Sequence, residues 1–381
     1  MAIVVSSGPG SFASAHENLW HIATSSNSGE PGFKYVFDLK VNGSIIASLR
    51  NFPDNGGYGV IDVSPIIRNY ASKIFATSGS AILQNSGDLM SIEYTIDFGE
   101  DFGGITYTGL ESRTYTAYNY SQDIFSHTIS SYANKFLTAR DRSNAMVMNG
   151  EKFYISFFNP DANAITATIQ KLNENGSNDG TAETGGTISS AKGLLLDLSP
   201  FAINTYLGST FITESTFKYK VTIGSDSITI KQACAPRFTP VQLVFLNRLG
   251  GYDSFVFRLL SKSQERSERS TYSTAEFVRS GTSMINQVAN VHFGGMQSFG
   301  TMINKGMKVV SDYLSVTDYN HGAELLSSSE VYLYKIDNGN DHYFPIIFKE
   351  TSWEEKNNTT DRMFQYDLSF DLGVKQFSQF R

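Results

Sequence analysis

Two runs of alternating apolar and polar residues, "KYVFDLKV" and "SIIASLRN", flank Asn42-Gly43. Alternation at period two marks half-buried strands. Asn-Gly between two such runs marks a tight hairpin, because both residues tolerate positive φ. "PDNGGYG" follows as a second turn. "VIDVSPIIRNY", 60–70, then reads as the end of a strand running into a short helix. Ser64 is the expected N-cap and Pro65 the first helical residue, with Ile66, Ile67 and Tyr70 turned back into the core. "SIEYTIDFG" and "GITYTGLESRTYTAYNY" add further strands.

The same phrase returns in the second third of the chain as "LLLDLSPFAINTY", 194–206. Asp62, Ser64, Pro65 and Asn69 fall on Asp197, Ser199, Pro200 and Asn204. "TFKYKVTIG", 216–224, echoes "SIEYTIDFG", with Tyr94 on Tyr219 and Gly99 on Gly224. Upstream, "KFYISFF" is matched to the strand at Lys34, "NPDANA" to its turn, and "ITATIQKL" to the return strand. Two elements recurring in one order predict a duplicated β-sandwich-like domain. Asp62 and Asp197 are expected to hold their turns together by accepting backbone N–H groups.

The last third differs. "VQLVFLNRLGGYDSFVFRLLS", 241–261, is a sharply marked hairpin, expected either to complete the second sandwich or to bridge to a third domain. Residues 270–312 carry mixed strand signals. "SVTDYNHGAELLSS", 315–328, predicts a short helix capped by Ser315 or Thr317. "SEVYLYKID", "YFPIIFKETS" and "MFQYDLSFDLGV" predict strands, the last alternating at Phe364, Tyr366, Leu368 and Phe370. The predicted architecture is mainly β: tandem β-sandwich-like domains plus a C-terminal β-rich domain with a short helix. The expected boundaries are 1–130, 131–262 and 263–381.

Composition agrees. Aromatic residues make up 13% of the 381, with abundant Gly, the profile of a β protein with many turns. A net charge of -7 is poorly suited to tracking phosphate backbones, so no nucleic-acid partner is expected. The basic run "SKSQERSERS", 261–270, is diluted by two Glu and reads as a solvated loop or strand edge. Cys234 is the single cysteine, expected as a small buried filler, and offers neither a disulfide framework nor a thiolate cage. No signal peptide and no membrane span is expected. The chain is therefore expected to fold in a reducing cytoplasm, where the sequons at Asn119 and Asn175 have no meaning.

The chemistry-bearing residues do not form a known constellation. His16 and His21 in "HENLWH" are five apart, which misses the i, i+4 spacing of a zincin helix. "DFGEDFGG" places Asp97, Glu100 and Asp101 around glycines, read as a charged hairpin loop without calcium-loop spacing. "NENGSNDGTAETGG", 173–186, reads as a mobile exposed loop and a candidate contact loop. His127, His292, His321 and His342 lie far apart. Neither catalytic residues nor a cofactor or metal is expected. Tyr115, Tyr118 and Tyr120 are weighed between strand packing and an interface or glycan platform. Met284, Met296, Met302 and Met307, within the otherwise weakly patterned 270–312, are candidates to become ordered against a neighbouring subunit.

"FDLKVNG…GYGVIDVSPIIRNY", "LVFLNRLGGYDSFVF" and "DYLSVTDYNHGAELLSSSEVYLYKID…YFPIIFKETSWEEK" together resemble virion structural proteins of tailed bacteriophages, particularly those infecting Bacteroidota. The resemblance covers roughly residues 30–375 and rests on turn and strand signatures. It implies a non-enzymatic tail, neck-ring or baseplate component. Such a component is located in the virion, assembled in the bacterial cytoplasm, and partnered by copies of itself and other virion proteins. The alternative is a receptor- or glycan-binding module at the tail tip, with a host surface glycan as partner.

Overall fold

The structure is a computed structural model. It describes residues 3–71, 83–84, 91–121, 129–148, 150–188, 191–233, 237–275, 277–285, 287–288, 291–292, 294–350, 364–374 and 376–380. Cys234, His127 and most of "ETSWEEK" lie outside the described residues. The fold is mainly β, as expected, with three α-helices among the described residues.

The first sandwich uses β1 (Ile3–Ser7), β2 (Ala13–Ser14), β3 (Trp20–Ser25), β4 (Lys34–Val41), β5 (Ser44–Asn51), β6 (Tyr58–Asp62), α1 (Ser64–Tyr70), β8 (Ser91–Phe102) and β9 (Ile105–Tyr118). One sheet has the order β1-β3-β6 and the other β2-β9-β8-β4-β5. Asn42 and Gly43 take φ of 50° and 77°, the hairpin geometry their sequence predicts. Tyr35, Phe37, Tyr94 and Phe98 from the larger sheet bury against Ala23 and Ile61 from the smaller one. From α1, Ile67 enters that core and Ile66 lies at its margin, but Tyr70 is exposed.

The second sandwich repeats this plan element by element. Its strands are β10 (Lys135–Leu137), β11 (Ala145–Met148), β12 (Tyr154–Phe158), β13 (Ala167–Leu172), β14 (Glu183–Thr184), β15 (Gly193–Asp197), β16 (Lys218–Ile223) and β17 (Asp226–Ala233). Its helix is α2 (Pro200–Leu207). The sheets run β10-β12-β15 and β11-β17-β16-β13-β14. Even the parallel pair recurs: β2 runs parallel to β9, and β11 parallel to β17. β7 (Leu83–Gln84), from the segment after α1, adds a strand to β15.

This topology corrects the sequence match. The counterpart of β4 is β13, not the strand at Lys152; β12 corresponds to β3. Period-two alternation looks the same in either sheet of a sandwich, so it cannot tell which sheet a strand joins. "NPDANA" accordingly crosses between sheets instead of closing a hairpin. Gly99 and Gly224 also part company. Gly224 sits in the β16–β17 turn at φ 58°, whereas Gly99 lies inside β8, whose hairpin with β9 runs on to a turn at Gly103-Gly104.

By chain contacts the two sandwiches form one unit, Met1–Ala235 with Leu246–Ser254; a second unit comprises Pro236–Phe245 and Phe255–Arg381. The division therefore falls at 235/236, with a return at 246–254, rather than at 262/263. Two strands run from one unit into the other: β18 (Val241–Leu246) belongs to the second unit up to Phe245, and β19 (Tyr252–Phe257) from Phe255. The second unit further contains β20 (Lys262–Thr274), β21 (Val278–Ser280), β22 (Ser283–Ile285), β23 (Gln287–Val288), β24 (Val291–His292) and β25 (Gly295–Val310). It continues with α3 (Val316–Ser327), β26 (Val331–Asp337), β27 (Asn340–Phe348), β28 (Asp367–Leu372) and β29 (Gln376–Phe380). Its main sheet has the order β19-β18-β26-β27-β28-β25-β20, with β29 also on β25. Phe364, Tyr366, Leu368 and Phe370 are all buried, as their alternation predicts. Ser315 caps α3 by accepting from Asp318 N at 3.2 Å. Tyr319 of that helix stacks on Tyr366 at 4.7 Å.

Candidate assembly surface

Each Asp-x-Ser-Pro turn sits where a strand of the smaller sheet hands over to its helix. Asp62 Oδ1 accepts from Leu19 N and Ser64 N, both at 2.9 Å. Asp197 Oδ1 accepts from Phe153 N at 3.2 Å and Ser199 N at 3.0 Å. The return bonds match too: Val63 N donates to Leu19 O, and Leu198 N to Phe153 O. One carboxylate oxygen thus ties the start of β3 or β12 to the end of β6 or β15 and satisfies a helix-entry N–H. Pro65 and Pro200 both stand in the first helical turn. The two copies differ in their serines. Ser199 caps α2 through Ala202 N, but Ser64 is already helical and α1 has no side-chain cap. Lys152 adds an ion pair to the buried Asp197 at 3.2 Å.

Between the sheets the copies diverge. His21, fully buried, lies 3.1 Å from the Tyr94 hydroxyl, and its ring packs 4.5 Å from that of Tyr115. Burial lowers the His21 pKa to about 4, against a smaller upward pull from Asp62. At the same registers the second sandwich has Ile155, Tyr219 and Ile230, and the Tyr219 hydroxyl donates to Leu198 O instead.

Tyr118 and Tyr120 do not form a surface platform. They are buried with Leu137, Phe158 and Leu249 in a cluster where the two sandwiches meet. Of the two readings weighed for them, packing holds and an external contact does not, because a duplicated sandwich must itself cover the flank facing its copy. Tyr115 is half-buried at the His21 core. The turn at residues 247–251, itself part of the first unit, closes this junction. Gly250, at φ 80°, comes so near Asn119 O that a Cβ would sit 1.8 Å from it. Buried Asn247 donates to Leu137 O and accepts from Leu249 N and Gly251 N. The Asn247 signal was present in the Asn-Arg-Leu-Gly-Gly turn, but nothing local says what that turn docks into.

The acidic stretch is strand, not loop, and its carboxylates diverge. Asp97 pairs with Lys40, Asp101 with Arg50, and buried Glu100 accepts from Ser25 and Asn27. Burial is the largest single influence on the Asp97 carboxyl and raises its pKa, but the hydrogen bonds from Lys40 and Ser112 and the Lys40 charge together outweigh it and hold the pKa below the usual range. His16 bonds Asn119 at 2.7 Å. In the loop after β13, Asn175 accepts from both Ser177 N and its hydroxyl, and Asn173 donates to the same hydroxyl. That loop is exposed at 173–180, yet internally bonded.

The most open feature is an antiparallel arm made by β20 and β25. Their ladder runs from Lys262 opposite Lys308 to Thr274 opposite Gly295, with one irregularity between Ser270 and Thr271. At about 3.3 Å per residue, 13 residues span about 43 Å. Every β20 residue from Lys262 to Ser273 is exposed. The described part of 270–312 therefore forms strands within its own chain. A backbone ladder supplies the order that its sparse apolar pattern does not. Of the four methionines, Met307 packs on the core of its unit, Met302 is half-buried, and Met284 and Met296 are 65% and 72% exposed. The run 261–270 is the strand edge its mixed charge suggested. No known family model and no curated protein sequence matches this chain.

Proposed function

We propose that the chain is a non-enzymatic structural component of a tailed phage particle, placed in the tail, neck ring or baseplate region and present in several copies. The observation that carries this reading is the β20–β25 arm: a long ladder, solvated along β20 and ending a sheet. Strand edges of this kind pair with other chains. The duplicated sandwich supports it by doubling lateral surface without a new fold. The histidines and carboxylates singled out in the sequence, His16, His21, Asp62, Asp97, Glu100 and Asp197, hold the fold together through named partners. The glycan-binding alternative rests on the exposed loop at 173–180, since Tyr118 and Tyr120 are interior.

The test is quantitative mass spectrometry of washed, intact particles of a phage that encodes the chain. The reading predicts the chain in the particle at a fixed multiple of one copy. Its recovery solely in the soluble fraction of the lysate would contradict the reading. No nucleic acid and no membrane enters this function. No helix among the described residues is long and apolar enough to cross a bilayer.

A further inference from the structure

The free edge of β20 carries a charge order with a specific property. Reading from Glu265, the residues are Glu265, Arg266, Ser267, Glu268 and Arg269. Reverse the strand and lay it against itself with Ser267 facing Ser267. Glu265 then meets Arg269, and Arg266 meets Glu268, on both sides of the centre. All four charges find an opposite partner, and the flanking pair is polar, Gln264 with Ser270. Shift the register by one residue either way and like charges meet: Glu265 faces Glu268, or Arg266 faces Arg269. Shift it by two and Arg266 or Glu268 faces itself. Opposite charges directly across an antiparallel pair stabilise it and like charges destabilise it, so the sequence selects one register.

The structure makes this pairing sterically available. β20 is the last strand of its sheet, and among the described residues its outer edge pairs with no strand. The stretch Gln264–Ser270 is regular, and the irregularity begins only after Ser270. In the single chain these charges have weak company. Lys305 lies 3.8 Å from Glu265, Arg266 is 3.9 Å from Glu268, and Asn304 donates to Glu268 at 3.0 Å, all on the surface. Such contacts contribute little and leave the arginines able to reach across an edge.

We propose that β20 is a self-recognition edge: two copies of this chain join by antiparallel pairing of β20 about a two-fold axis through Ser267. The contact is isologous, and it stands independently of any place in a particle. A neighbour seated on a ring by head-to-tail contacts would use other surfaces, so the dimer is a separate element of assembly.

The test uses the full chain and two charge variants, one carrying Arg266→Glu and Arg269→Glu, the other Glu265→Arg and Glu268→Arg. Each variant puts four like charges across the proposed axis. Wild type is expected at twice 42.1 kDa by light scattering at tens of micromolar. Each variant alone is expected at the single-chain mass, with an unchanged circular dichroism spectrum. An equimolar mixture of the two is expected to recover the doubled mass as a heterodimer. A wild-type monomer, or variants whose mass equals that of wild type, overturns the proposal. So does a mixture that stays monomeric while both variants are folded. The particle assay above does not depend on this result, so either can fail alone.

Discussion

The two sandwiches share a strand-for-strand topology and the same aspartate-to-backbone bonds at the turn, yet they fill the same core positions differently. At one register the first has His21, Tyr94 and Tyr115; the second has Ile155, Tyr219 and Ile230. Around the turn the polarity reverses. Asp197 is sealed and ion-paired to Lys152, while Asp62 is half-open and, among the described residues, is held by backbone donors alone. What the copies keep is the device that fixes backbone direction, namely one carboxylate accepting two N–H groups. What they vary is how the surrounding volume is filled. A fold can therefore be duplicated with its corners intact while one copy alone carries a buried histidine, His21.

The largest expected effect sharpens that contrast at the turns. Asp197→Ala should destabilise by about 3 kcal/mol, because it strips two buried N–H groups of an acceptor and leaves Lys152 without its counter-charge. Asp62→Ala should cost about 1 kcal/mol, as a lost cap does. Urea titrations of both variants check this; equal losses would erase the difference in burial as its cause.

The next effect is a pH response confined to the first copy. His21 has its pKa lowered by burial to about 4 from 6.5, so the unfolded chain binds its proton first. Its contribution is complete above pH 6.5 and is lost as pH falls toward 4, by about 3 kcal/mol at the acid end. His21→Ile installs the residue type of the second copy, and melting followed from pH 7 to 4 should show a shallower decline. Hydrogen exchange should show the acid-induced opening of wild type first in residues 3–71 and 91–118. An undiminished decline in the variant would assign the response to carboxylates instead.

The smallest effect compares the serines. Ser199→Ala removes a cap and should cost about 1 kcal/mol, whereas Ser64→Ala removes none and should cost a few tenths. Thermal melts resolve that difference, and a larger loss at Ser64 would restore it as a cap.

How far the sequence foretold this follows from the same physics. The Asn-Gly hairpin at Asn42-Gly43 was legible because positive φ leaves a local residue signature, and both residues adopt it. The Asp-x-Ser-Pro recurrence was legible because a cap and a proline are also local. The alternation at Phe364–Phe370 predicted burial because one face of a single strand decides it. Which strand pairs with which was not legible: only long-range pairing shows that β12 matches β3 and not β4. Nor was the fate of Tyr118 and Tyr120, since burial at the junction depends on Phe158 and Leu249, far off in the chain. The edge of β20 fell between these cases. Its charge order was in plain view, but it had no meaning until the strand proved to be the last in its sheet.

Self-association through the β20 edge is the property from which the assembly role follows. Sedimentation velocity of the intact protein from about 1 to 100 µM, at low and high salt, tests it directly. The account predicts a concentration-dependent shift from single chain to dimer that weakens as salt screens the charge pairs. A single sedimenting species at the one-chain mass across the whole range would contradict it.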